Sequence, residues 1–436
     1  MSEFSRRGFL QFAGVAGAAS LGACAQTANA TKSNAAINDS DSPLADLKPM
    51  TSGLPPMPAD VYQERQARLR KALDDTATSA ILLGPTLNLT YFMGKSWGAS
   101  ERLFGCLQFD SQSDNHTGDI NYLRVWIAPK FEESRARELV GKDELRTWEE
   151  WEDPHKLVLD ILQERTGGGR LALDPHMRAM HASRIFTIAN ERKVTAADGL
   201  PIVSRVRSVK TASELARMRR ANEITKKAIQ TVFDRLIKPG IQESQASAWV
   251  NEAQQRLGLK NTWALVLFGP NAAFPHGTKD RRPLEAGQCA LFDCGGELES
   301  YQSDITRTYF AGAAPTARQR KIYNLVRNAQ IAALASAKPG VRCEEVDAAA
   351  RKVISDGGFG PGSTFFTHRL GHGIGLEGHE DPYFCPGNAT VLAPGMTISN
   401  EPGIYIPGEL GVRLEDIIVI TKDGAEILGG TLVPEI

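Results

Sequence analysis

Cysteine is scarce and scattered in these 436 residues. There are six, with no Cys-x-x-Cys pair, which excludes a zinc ribbon and a disulfide-dense scaffold. An excess of one charge is lacking too. Lys and Arg number 50 against 51 Asp and Glu, no basic stripe stands out, and nucleic acid is not an expected partner. No run approaches the roughly 18 apolar residues needed to cross a bilayer. At 42 % hydrophobic, the composition suits packed cores rather than a multi-span membrane protein. Histidine is rare, eight in all, so a local cluster of it carries information.

What is present begins with an address. Residues 1–30 contain Ser5-Arg6-Arg7, then Phe9 and Leu10 and a weakly apolar run of small residues. This is the pattern of a twin-arginine export signal, which implies a periplasmic location. Two processing readings stand side by side: a lipobox-like Leu21-Gly22-Ala23-Cys24, making Cys24 a lipid anchor, or ordinary cleavage after Ala30. Residues 31–58 are polar and rich in Ser, Asp, Asn and Pro, and read as a flexible linker.

The length suits two or three domains. From 59 to 209, short apolar runs (Ser79–Pro85, Leu123–Pro129, Arg170–Pro175) alternate with helical patterns, which predicts an α/β domain. At the boundary, Thr211 or Ser213 can cap a long amphipathic helix that stops before Pro239-Gly240. From 210 to 436 the chain echoes itself. A helix, a Lys-Pro-Gly unit and a second helix occur at Lys238 and again at Lys338, each copy followed by strand candidates. This predicts an α+β domain with antiparallel strands and an internal two-fold repeat.

Asp293 and Asp304 lie in runs of strand character, where Asp is disfavoured and an unpaired buried carboxylate is costly. A cation between the strands would supply the missing charge. Glu401 and Glu415 repeat the pattern further on. His368, His372 and His379 cluster among Gly371, Gly373 and Gly375, glycines that would let the backbone approach a ligand or metal closely. Four carboxylates and an imidazole (Asp293, Asp304, Glu401, Glu415, His372) form an oxygen-rich set suited to paired manganese, cobalt or zinc ions. Such a pair can ionise a shared water and polarise a carbonyl, the chemistry of metal-assisted hydrolysis. Cys289 and Cys294 flank Asp293 and read as packing residues.

Through "FDCGG", "SDITRT", "HRLGHGIGLEGHE" and "NEPGIYIPGELGVRLED", residues 210–436 resemble the pita-bread metallopeptidases: aminopeptidase P, prolidase, methionine aminopeptidase and the related creatinase. Residues 59–209 resemble the N-terminal domain of the aminopeptidase P, prolidase and creatinase branch. The resemblance implies two divalent ions, manganese first, bridged by Asp304 and Glu415. Asp293 would chelate one ion, and His372 with Glu401 would hold the other. It places His276 beside the scissile bond, His379 at the tetrahedral intermediate, and His368 with Arg413 along the proline-side pocket. Glu401 would relay a proton to the leaving nitrogen. The implied activity is release of the N-terminal residue from a peptide with proline second, in a homo-oligomer. The alternatives are an Xaa-Pro dipeptidase or another amide hydrolase, and, outside enzymes, a peptide-binding surface protein with a vestigial site.

Overall fold

The computed structural model describes residues 42–111 and 123–436. The export signal, Cys24 and Ala30 lie outside the described residues. From Asp46 to Ile436 the chain forms one unit.

Six short strands build its first layer: β1 (Ala80–Leu83), β2 (Gly105–Phe109), β3 (Arg124–Pro129), β4 (Glu144–Trp148), β5 (Arg170–Leu173) and β6 (Thr195–Asp198), with β4 and β6 the less buried ones. They form a mixed sheet in the order β4-β3-β2-β1-β5-β6, with β2 antiparallel to both neighbours and the other pairs parallel. Period-two alternation sends Ile81 and Leu83 into one core with Leu69, Trp126 and Ile202, and Ala80 and Leu82 into another with Val125, Leu162 and Ile185. Helices cover both faces: α1 (Val61–Asp75), α2 (Leu87–Met93), α3 (Glu133–Val140), α4 (Pro154–Thr166), α5 (Ala179–Glu191) and α6 (Leu200–Arg207). A strand buried on both sides reads as an unbroken apolar run, which is why Ala80–Leu83 is legible in the sequence.

Thr211 then caps α7 (Ala212–Leu236) with a reciprocal box: its hydroxyl accepts from the Glu214 N–H while the Glu214 carboxylate accepts from the Thr211 N–H. After α7 come α8 (Glu243–Leu257) and an antiparallel sheet of β7 (Lys260–Phe268), β8 (Cys289–Leu298) and β9 (Tyr301–Phe310). Next come α9 (Ala317–Ser336), α10 (Cys343–Ile354), β10 (Gly371–Gly373), β11 (Glu380–Phe384), β12 (Thr397–Asn400), the hairpin β13 (Gly403–Ile406) and β14 (Leu410–Arg413), β15 (Asp416–Ile420) and β16 (Ala425–Ile427). β11-β10-β12-β15-β16 form a second antiparallel sheet. The two Lys-Pro-Gly turns have matching bonds. Gly240 N–H donates to Leu284 O (2.8 Å) and Gly340 N–H to Leu392 O (3.0 Å), both with positive φ, and Ile241 N–H to Lys238 O matches Val341 N–H to Lys338 O (3.2 Å each).

Of the expected linker, residues 42–58 are described, and from Asp46 on they run along the helices. Met50 N–H donates to Leu257 O (2.9 Å), Arg217 reaches Pro55 O (3.0 Å) and Arg235 pairs with Asp46 (2.7 Å). Polar composition suggests a solvated tether; arginines on α7 recruit its carbonyls instead.

Across residues 209/210 the junction is ionic and buried. Arg65 of α1 pairs with Glu214 (2.9 Å) and donates to Tyr301 (2.8 Å). Arg207 pairs with Glu377 (2.7 Å) and Glu380 (2.5 Å), and Lys210 with Glu380 (2.6 Å). These pairs fix the start of β11 and the loop before it, which carries His379.

Candidate metal centre

Register places the first two acids. Asp293 lies opposite Thr306 and Gly295 opposite Asp304, so all four share one face of β8-β9. Gly295 has to be glycine, because a Cβ there would sit 2.1 Å from Ser303 O and 2.8 Å from the Trp263 ring.

The other candidates come from around the second sheet, where the runs of strand character that hold Glu401 and Glu415 are interrupted. Both runs break at their glutamates. Pro402 has no N–H to continue a ladder, and Glu401 N–H turns away to Leu370 O (2.9 Å). Glu415 N–H crosses to Thr306 O of the first sheet (3.0 Å). Each glutamate is thereby lifted out of a ladder and aimed at the seam between the sheets. His372 sits in β10, its Nδ1 3.1 Å from Gly373 O. A carbonyl only accepts, so Nδ1 carries the proton and Nε2 is left bare, 3.4 Å from Glu401 and 3.7 Å from Asp304. The glycines around it serve packing rather than approach to a ligand. A Cβ at Gly371 would meet Ser399 O at 1.9 Å, one at Gly373 would meet Asp381 O at 2.4 Å, and one at Gly375 would meet the Glu380 carboxylate at 2.6 Å.

The assembled atoms fit a pair of cations. Ligand atoms of Asp293, Asp304 and Glu415 lie within 4.8 Å of one another, as do those of His372, Glu401 and Glu415, and those of Asp304, His372 and His379. His372 belongs to two of these groups, as do the carboxylates Asp304 and Glu415. Both also keep one buried oxygen, Asp304 Oδ1 and Glu415 Oε1, without a hydrogen-bond partner among the described residues. A native protein rarely strands such atoms unless something else satisfies them. Burial, then the neighbouring carboxylates, push the Asp304 and Glu415 carboxyls far above the usual range. Burial with Asp293 nearby raises Glu401 to about 7. Burial, then His379, holds His372 down at about 3, so its imidazole is neutral. This is the signature of an acid cluster short of positive charge.

Thr306 knits the site together, its hydroxyl 2.7 Å from Glu415 Oε2, 3.1 Å from Asp293 Oδ1 and accepting from Arg413 Nε (3.1 Å). Arg413 also pairs with Asp293 (2.6 Å). Burial opposes its charge, but the Tyr405 phenol and Asp293 keep it protonated. Arg413 Nη1 donates to Tyr405 OH (2.9 Å), and Tyr405 OH donates to His368 Nε2 (2.7 Å), because His368 Nδ1 is engaged with Arg369 O (2.7 Å). Burial, then Arg413, holds His368 neutral at about 3. Ser399 steadies both sides, accepting from His372 N–H (2.9 Å) and donating to Glu401 (3.1 Å).

All nine residues singled out in the sequence line one cavity of about 740 Å³: Asp293, Asp304, His372, Glu401, Glu415, His276, His368, His379 and Arg413. Trp263, Leu265, Pro275 and Arg369 complete much of its wall. Sequence reasoning misses Thr306, Ser399, Tyr405 and Arg369. Three of them stand within the motifs "SDITRT", "NEPGIYIPG" and "HRLGHG", but their side chains gain meaning only from partners distant in sequence.

Comparison with known proteins agrees with this geometry. Residues 216–422 match the profile of metallopeptidase family M24. An uncharacterized peptidase of Schizosaccharomyces pombe is 38 % identical over 369 residues, covering 82 % of this chain and 79 % of that protein. Among solved structures, the dipeptidase PepE of Mycobacterium ulcerans is 32 % identical with a TM-score of 0.75, covering 86 % of this chain and 96 % of that one. The Xaa-Pro dipeptidase of Bacillus anthracis is 28 % identical with a TM-score of 0.69, covering 86 % and 99 %.

Proposed function

The chain belongs to metallopeptidase family M24, with the pita-bread fold and dinuclear metal chemistry of that family, and from this we propose that it hydrolyses the bond between an N-terminal residue and a proline in second position. The observation that carries the proposal is the convergence of five ligands, two with stranded buried oxygens, on a cavity walled by His276, His368, His379 and Arg413.

Asp293, Asp304 and Glu415 would hold one divalent ion, and Asp304, His372, Glu401 and Glu415 the other. Manganese suits the oxygen-rich set best, with cobalt or zinc as substitutes. A bound pair supplies an activated water and polarises the scissile carbonyl. The chain's own residues do the rest. Glu401 takes up the water's proton and delivers it to the leaving nitrogen. His379, its imidazole held below the usual histidine range by partial desolvation and then by Arg369, would donate one N–H to the developing oxyanion. His276 lines the same cavity and would face the substrate. Arg413 balances Asp293 and, through Tyr405, locks the His368 ring as part of a rigid wall. Trp263 and Leu265 offer apolar surface to a pyrrolidine ring, whose fixed φ and missing N–H lower the cost of binding.

Aminopeptidase action on longer peptides and dipeptidase action share this chemistry and differ in the group on the C-terminal side of proline. Export by the twin-arginine route, a lipid anchor at Cys24, a creatinase-like domain over 59–209, the duplicated half-domains and homo-oligomerisation belong to the same proposal. Purified protein loaded in turn with manganese, cobalt and zinc should cleave Xaa-Pro substrates at least about tenfold more efficiently than Xaa-Ala ones, measured as kcat/KM. Equal efficiency on both would refute proline selectivity.

A further inference from the structure

We propose that Arg307, Gln330, Asn400 and Asp416 form a buried frame behind the metal centre that holds Glu401 and Glu415 in place before any ion arrives, so that manganese affinity depends on residues outside the ligand set. This rests on the metal-centre reading above and deepens it.

Thr306, Glu401 and Glu415 each have a sequence neighbour bonded away from the metal cavity. Those neighbours are Arg307, Asn400 and Asp416, and none of them is among the cavity's lining residues. Successive side chains alternate along extended chain, so a ligand on one side puts its neighbour on the other. Asn400 and Asp416 are register partners across β12-β15. Arg307 Nη2 donates to Asp416 Oδ1 (2.7 Å). From α9, Gln330 Nε2 donates to Asp416 Oδ2 (3.1 Å) and Asn400 O (3.2 Å), and Asn400 Nδ2 returns a bond to Gln330 O (2.9 Å). All four residues are buried. Lys226 of α7 adds a second cation to Asp416 (2.6 Å).

Arg307 also clamps the backbone bond that seats Glu415. Its Nη1 donates to Thr306 O (3.0 Å) and Glu415 O (2.6 Å), so one guanidinium grips both the acceptor and the donor residue of the Glu415 N–H to Thr306 O bond. Gln330 serves Glu401 in the same way, by holding Asn400 through two amide bonds. Both glutamates need such support. They stand where the strand runs are interrupted, and four carboxylates crowded together without cations repel one another. A glutamate that swung away would relieve the repulsion and leave only a fraction of molecules ready to bind, and apparent affinity falls by that fraction. The frame keeps the fraction high. Arginine suits the central post because its planar fork reaches three acceptors at once, which an ammonium on a flexible stem does less well.

The test titrates manganese into chelator-treated parent, Gln330→Met, Arg307→Met and Arg307→Lys, reading the unbound ion by electron paramagnetic resonance. Gln330→Met and Arg307→Met should bind manganese about 10–100-fold more weakly, and Arg307→Lys should recover part of the loss. If Arg307→Met does not fold, Gln330→Met decides, since it removes two amide bonds and no charge. At saturating manganese, Gln330→Met should return to within about threefold of the parent's kcat and KM, because the frame assembles the site and touches no substrate. Leu162→Ala opens a hole in the core of the first layer and separates this role from plain loss of stability. It should keep manganese affinity within about threefold of the parent. Parent-like affinity in Gln330→Met, or a loss in Leu162→Ala as large as in Gln330→Met, overturns the proposal. A parent that binds two ions and cleaves no Xaa-Pro substrate refutes the hydrolase reading, and the same titration still decides on the frame. A parent that takes up no manganese, cobalt or zinc overturns both.

Discussion

Removing the metal should leave a protein that weakens as pH rises, and Glu401→Gln should blunt that weakening. In the metal-free state, burial with Asp293 nearby raises the Glu401 carboxyl from 4.5 to about 7. A group whose folded value lies above its unfolded one contributes stability that is fully present below the unfolded value and is lost as pH climbs through the folded one. A rise of two to three units corresponds to about 3 kcal/mol, lost between about pH 4.5 and pH 7. Asp304 and Glu415 are raised too, so the cluster titrates as a set and the informative quantity is the difference between parent and variant. The assay is urea denaturation of chelator-treated parent and Glu401→Gln at about pH 4.5 and about pH 8. Contributions from distant groups cancel in that comparison. The parent should lose about 3 kcal/mol more than the variant. Added manganese should reverse the trend in the parent, because the ligands must be deprotonated to bind. An identical pH dependence in the two metal-free proteins would refute the reading of a charge-starved acid cluster.

Three further outcomes are expected from the same structure. Asp304→Ala should lose both ions and activity together by elemental analysis and peptide hydrolysis, while Asp423→Asn, exposed at 80 % of its side-chain surface, should change neither; retention of both ions in Asp304→Ala would remove its bridging role. Glu380→Gln breaks the buried pairs with Arg207 and Lys210 and should cost about 3–5 kcal/mol in denaturant melts, an effect that raising the salt should barely alter if the pairs are as buried as they stand. Replacing Arg6 and Arg7 with Lys should retain the protein in the cytoplasm on fractionation, and Cys24→Ser should abolish lipid labelling; normal export of the double variant would rule out the twin-arginine route.

Local chemistry makes much of this legible. Acids stranded in apolar runs expose Asp293 and Asp304. Thr211 and Ser213 both stand in the sequence as caps for α7, and the structure gives the cap to Thr211, with Glu214 answering it; the Lys-Pro-Gly repeats mark two equivalent turns. The rest is set by pairings distant in sequence. Glu401 and Glu415 look like members of continuous strands because nothing local shows that their N–H groups bond to Leu370 and Thr306 instead. Glycines beside His372 suggest close approach to a ligand, whereas neighbouring strands and the Glu380 carboxylate fill the space a Cβ would need. Asp174 looks like an ordinary loop acid, yet it is buried and accepts from Thr86 and Asn88.

The division of the ligands between two sheets has a consequence for how the protein is made. Asp293 and Asp304 are synthesised well before Glu415, and the backbone bond that seats Glu415 reaches back to Thr306. A ribosome-bound chain that has emerged only through β9 therefore carries acids without a complete coordination shell. A complete shell for both ions requires Glu415, just before β15, to be seated on Thr306. Metal content is thus a timestamp: a molecule that holds two ions has been translated through its last ligand and has closed the seam.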